Sequence, residues 1–139
     1  MFETVALIPD PNWNPKENVE LLKNVLSVDP GDYQLQYNLG FMYHRVNDLQ
    51  NSLNHYKLAL KLIDYEIALQ SEQSMKTALN QFKVKCLNGL GAVYFSIQNR
   101  DLANYYFYKA LEILPDDPDV HNQIGVVYTE LRVTDKAIE

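Results

Sequence analysis

Cysteine is almost missing from this chain: Cys86 is the only one in 139 residues. That excludes a disulfide framework and fits a reducing, cytoplasmic setting. Glycine and proline are also scarce, at 5 and 6, and no proline stands between Pro30 and Pro115. A turn-rich β sandwich is thereby excluded, and long helices have room. Basic stretches are absent. Twelve Lys and Arg against 18 Asp and Glu leave a net charge of −6. This argues against nucleic acid or an anionic membrane as the main partner. No uninterrupted apolar run approaches the length of a membrane-spanning helix. The opening Met1-Phe-Glu-Thr-Val-Ala-Leu-Ile-Pro has no basic start and only a short apolar run, so it does not read as a secretory leader.

What is present is a word used three times. Leu39-Gly40 is followed by Tyr43, Leu90-Gly91 by Tyr94, and Ile124-Gly125 by Tyr128. Gly91 and Gly125 are 34 residues apart, a helical-repeat period, whereas Gly40 and Gly91 are 51 apart. The chain therefore reads as one array of similar units, with 17 residues inserted in one of them. An apolar fraction of 47% supplies its core.

Residues 1–13 read as irregular, because Pro9, Asp10 and Pro11 stop a helix. The segment 15–30 reads as one helix with the stripe Val19, Leu22, Val25 and Leu26. Asp32 caps the next helix, expected over 33–45. Asn47-Asp48 is a turn and a cap. Leu49, Leu53, Tyr56, Leu60, Ile63 and Ile67 then form a seam longer than one repeat helix needs. The break is expected near Gln70-Ser71-Glu72, with Ser71 as cap. The following seam is Met75, Leu79, Phe82, Cys86, Leu90 and Val93. Two facing seams and a short turn predict an antiparallel hairpin with about two extra turns on each helix. Asn99-Arg100-Asp101 turns the chain into a helix over 101–113. Asp117 and Pro118 start another, expected to reach about Leu131, and Thr134-Asp135 is expected to begin one more.

This pattern resembles the tetratricopeptide repeat, a 34-residue helix–turn–helix unit. The unit 84–117 carries Leu87, Leu90, Gly91, Tyr94, Ala103, Phe107, Ala110 and Pro115 in register. The lengthened unit 33–83 keeps Leu39, Gly40, Tyr43, Ser52, Tyr56 and Ala59. It departs at Gln36 and at Asp64, where a large apolar residue and a proline are usual. Residues 118–139 keep Ile124, Gly125, Tyr128 and Ala137 and read as a truncated third unit; 15–30 reads as a half unit. The resemblance implies an all-α solenoid of six to seven antiparallel helices in a right-handed superhelix, with one lengthened hairpin. Gly40, Gly91, Gly125, Tyr43, Tyr94 and Tyr128 are then packing residues. A unit cut off after its first helix points to the N-terminal part of a longer protein, or to pairing through an open face.

Chemistry is thinly represented. His44, His55 and His121 lack metal-ligand spacing, and no phosphate loop or nucleophile elbow appears. Asp116, Asp117 and Asp119 read as a solvated helix cap, and Cys86 as a buried thiol. The chain is expected to be non-catalytic, with no cofactor and no metal.

The resemblance implies a concave groove lined by the first helix of each unit. Its candidate residues are Gln34, Tyr37, Asn38, Phe41, His44 and Arg45; then Asn88, Ala92, Phe95 and Ser96; then Asn122, Val126, Thr129 and Glu130. An asparagine there donates and accepts together, which suits an extended peptide. Asn38 matches the asparagine ladder of O-GlcNAc transferase repeat arrays, but Gly89 and Gln123 break it. Tyr37 and Phe41 stand where the carboxylate clamp of heat-shock co-chaperones has Lys and Asn, which argues against that clamp. Tyr105 and Tyr108, on the second helix of their unit, are candidates for an outer interface. The expected function is a scaffold that binds a protein or peptide. The alternatives are a substrate-presenting accessory region of a glycosyltransferase-like enzyme, and self-association as a homodimer through the open C-terminal face or the long hairpin.

Overall fold

Five helices run through residues 31–138, the part of the chain that the computed structural model describes, with side chains described through Thr129. They are α1 (Tyr33–Arg45), α2 (Leu49–Leu69), α3 (Gln73–Ser96), α4 (Arg100–Ile113) and α5 (Pro118–Ile138). No strand occurs among the described residues. The architecture is the expected all-α array of helical hairpins. The readings of 1–13 as irregular and 15–30 as a half unit lie outside the described residues. Among the described residues no helix is long and apolar enough to cross a membrane.

Two turns use the same device. Asn47 and Gln98 are left-handed, with φ of 64° and 72°. The residue after each, Asp48 and Asn99, closes the old helix and caps the new one. The backbone N–H of Asp48 donates to the Tyr43 carbonyl at 2.9 Å, and that of Asn99 to the Tyr94 carbonyl at 2.9 Å. Their side chains then accept from Asn51 N at 3.3 Å and Leu102 N at 3.1 Å. Asp32 caps α1 through Gln34 N and Leu35 N, and Asp117 caps α5 through Val120 N at 3.1 Å.

The long hairpin is real: α2 has 21 residues and α3 has 24, against 13 in α1 and 14 in α4. Asp64, at the usual proline place, lets α2 continue and pairs with Lys83 of α3 at 2.7 Å. Three expectations are corrected here. Ser71 does not cap α3. Glu72 stands at that position without a side-chain cap bond, and α3 starts at Gln73. Met75 is exposed and not part of the α3 seam, whose buried residues begin at Leu79. The turn expected after Leu131 is also absent, and α5 runs unbroken to Ile138. At the places equivalent to Asn47-Asp48 and Gln98-Asn99 stand Arg132-Val133, and valine has no oxygen to cap a new helix.

The core is built from one aromatic per unit seated on glycine. The Tyr56 ring of α2 lies against Gly40 of α1 and Gly89 of α3, and the Phe107 ring of α4 lies against Gly91 of α3. Around them are buried Leu39, Met42, Ile63, Leu87, Leu90 and Val93. The buried Ser52 hydroxyl donates to the Gly40 carbonyl at 2.6 Å, locking the first hairpin at its crossing. Gly125 and Tyr128 depart from the expected packing role. Both are exposed, and a Cβ at Gly125 would meet nothing within 4 Å. With α5 continuing straight, no helix folds back over that face among the described residues.

Candidate functional site

The alternate helices α1, α3 and α5 stand side by side, and their shared register defines one face. Positions 34, 85 and 119, holding Gln34, Lys85 and Asp119, are equivalent in the three units, as are Tyr37, Asn88 and Asn122. At one end of this face His44 Nε2 and Ser96 Oγ are 2.9 Å apart, tying α1 to α3. Burial, and then the Arg45 charge, lower the His44 pKa below its ordinary value. The Arg45 guanidinium lies 5.7 Å above the half-buried Phe41 ring.

At the other end the extra turns of α3 fill the face themselves. Phe82 packs edge-on against Tyr33 at 5.3 Å and Tyr37 at 5.2 Å, and Lys85 lies 5.7 Å over the Phe82 ring. Tyr37 also touches Tyr56 at 5.5 Å, and burial pushes its hydroxyl up to about 12. Tyr37 is thus a packing residue more than a displayed one.

Asn38 is a correction. It is 2% exposed, and its buried Nδ2 has no hydrogen-bond partner. The equivalent Gly89 explains why: a Cβ there would lie 2.7 Å from Tyr56 Cζ. This register position faces the neighbouring helix pair and not the groove. A ladder asparagine at 89 would collide with Tyr56, so the ladder is broken by core packing.

The remaining candidates separate cleanly. Gln34, Arg45, Asn122 and Val126 are exposed, and Phe95 and Asn88 are half-buried. Asn88 lines a cleft of about 240 Å³ between α3 and the start of α5, with Gln81, Val84, Lys85, Leu114, Asp117 and Asp119. Its buried Oδ1 accepts no hydrogen bond. The cleft therefore brings together one unsatisfied amide acceptor, a cation and an anion over an apolar floor. Gln81, Lys85 and Asp119 were not among the expected groove residues. The signal that finds Lys85 and Asp119 is their shared register with Gln34. Tyr105 and Tyr108 are exposed on α4, with the Tyr108 hydroxyl 3.2 Å from that of Tyr128. Among the described residues no three His, Cys, Asp or Glu side chains converge as a metal site.

The tetratricopeptide-repeat family model matches residues 33–64, which is α1 and most of α2 up to Asp64. This stretch of the chain is a match to one tetratricopeptide repeat. The match ends where α2 departs from the ordinary unit by continuing to Leu69. No curated protein matches the chain. Among solved structures, the crystal structure of MamA is similar at 17% identity, over 99% of this chain and 91% of that chain, with a TM-score of 0.37.

Proposed function

We propose that this tetratricopeptide-repeat chain is a non-catalytic scaffold that holds an extended segment of another protein across α3 and α5. The observation that carries the reading is Asn88. An amide acceptor buried without a partner costs roughly 1–3 kcal/mol, and a bound peptide N–H repays it once the Asn88 amide turns outward into the cleft. Lys85 and Asp119, in register on neighbouring helices, offer the segment charges of both signs. The resulting preference is for a zwitterionic peptide, and it differs from a purely basic carboxylate clamp. Phe95, half-buried farther along α3, supplies an apolar contact beyond the cleft.

A peptide array probed with the full chain tests this. Captured peptides are expected to lose about tenfold in affinity with Asn88→Ala, as for one charge-assisted or buried hydrogen bond. Lys85→Glu should shift the captured set toward peptides with more basic residues. Helical circular dichroism of each variant checks that the fold is kept. Unchanged capture by both folded variants would remove the groove reading.

A further inference from the structure

The second helix of the long hairpin unit, α2, has two apolar faces and uses only one. Leu53, Tyr56, Ala59 and Ile63 are buried against α1 and α3. On the far side Leu58, Tyr65 and Leu69 are 39%, 62% and 65% exposed, and Leu62 between them is half-buried. Isolated exposed leucines need no explanation. These four lie in one line at spacings of four, three and four, the heptad rule for a helix that packs along another helix. Tyr65 and Leu69 lie beyond Asp64, in the stretch that makes α2 long. A helix ending at the usual proline place would hold only half of the line.

We propose that this line is a homodimer seam in which α2 packs in parallel with α2 of a second copy. The charges beside it choose the occupant and the direction. With Leu62 and Leu69 at the a places and Leu58 and Tyr65 at the d places, Lys61 falls at g and Glu66 at the following e. Both are exposed. In a parallel pair each g residue meets the partner helix five residues farther on, so Lys61 faces Glu66 of the second copy, twice by symmetry. In an antiparallel pair the same residues bring lysine toward lysine and glutamate toward glutamate. The seam is thus complementary to itself in one orientation only. α1 and α3 pack on other faces of α2 and leave it clear.

Sedimentation equilibrium of the full chain over a wide concentration range tests the seam, independently of the groove. Wild type is expected to show a monomer–dimer equilibrium. Lys61→Glu and Glu66→Lys each replace two attractions by two repulsions and should weaken the dimer about tenfold. The double variant Lys61→Glu with Glu66→Lys restores the pairing and should return the dissociation constant to near the wild-type value. Asn88→Ala should leave it unchanged. All three positions are solvent-facing or outside the seam, so the variants keep their helicity. A wild-type chain that stays monomeric up to its solubility limit would overturn the proposal, and so would a dimer indifferent to the charge changes.

Discussion

The ring of Phe107 fills the space that a side chain at Gly91 would need: its Cε1 lies 2.3 Å from the position of a Cβ there. Phe107 is fully buried, so the ring has nowhere to retreat. Gly91→Ala is therefore expected to destabilise the chain by about 1–3 kcal/mol through overpacking. Gly125 holds the same place in the next unit, inside α5, with nothing within 4 Å of its added Cβ. There only the helix preference of alanine acts, and Gly125→Ala is expected to stabilise by about 0.5–1 kcal/mol. Urea denaturation of the two variants measures both. The same substitution at equivalent places should give opposite signs; two losses of similar size would show that the Gly125 face is covered.

His44 makes stability depend on pH in one direction. Its folded pKa lies below the ordinary 6.5, first through burial and then through Arg45. Between the two values the unfolded chain carries a proton that the folded chain does not. The His44 contribution is therefore full above about 6.5 and is lost as pH falls toward the depressed value. Below that value both states are protonated and the loss stops. The denaturation midpoint should fall between about pH 7.5 and pH 5.5, and less steeply in His44→Asn, which cannot titrate. Parallel pH profiles for the two proteins would show that other groups cause the fall.

The parts of this fold set by neighbours in sequence were legible in advance. Asp32, Asp48 and Asp117 were readable as caps because a cap needs only its own side chain and the next three residues. The lengthened hairpin followed from the 51-residue interval between Gly40 and Gly91. The unbroken course of α5 was half legible: the family register suggested a turn near 132–133, but Val133 stands where Asp48 and Asn99 cap their helices and has no oxygen to do so. Asn38 was not legible, since its burial depends on which way its register position faces. That was revealed only by Tyr56 against the equivalent Gly89. The cleft at Asn88 was half legible: the asparagine was expected, but Lys85 and Asp119 meet it only because α3 and α5 stand together.

Cys86 offers a measure of how tightly the long hairpin is closed. Its side chain is fully buried in a cluster with Ala59, Ile63 and Leu79, contributed by both α2 and α3. Burial, with Asp64 adding to it, pushes the thiol up to about 12, so at neutral pH it carries almost no thiolate. A thiol reagent must then wait for α2 and α3 to separate. In native buffer near pH 8, Cys86 should react at least about a hundredfold more slowly than in denaturant, as expected for a site released only by opening. Leu79→Ala removes a neighbour from the same cluster and should speed the native reaction while leaving the denatured rate unchanged. Labelling of the native chain at the denatured rate would mean that the two long helices are not closed over Cys86 in solution.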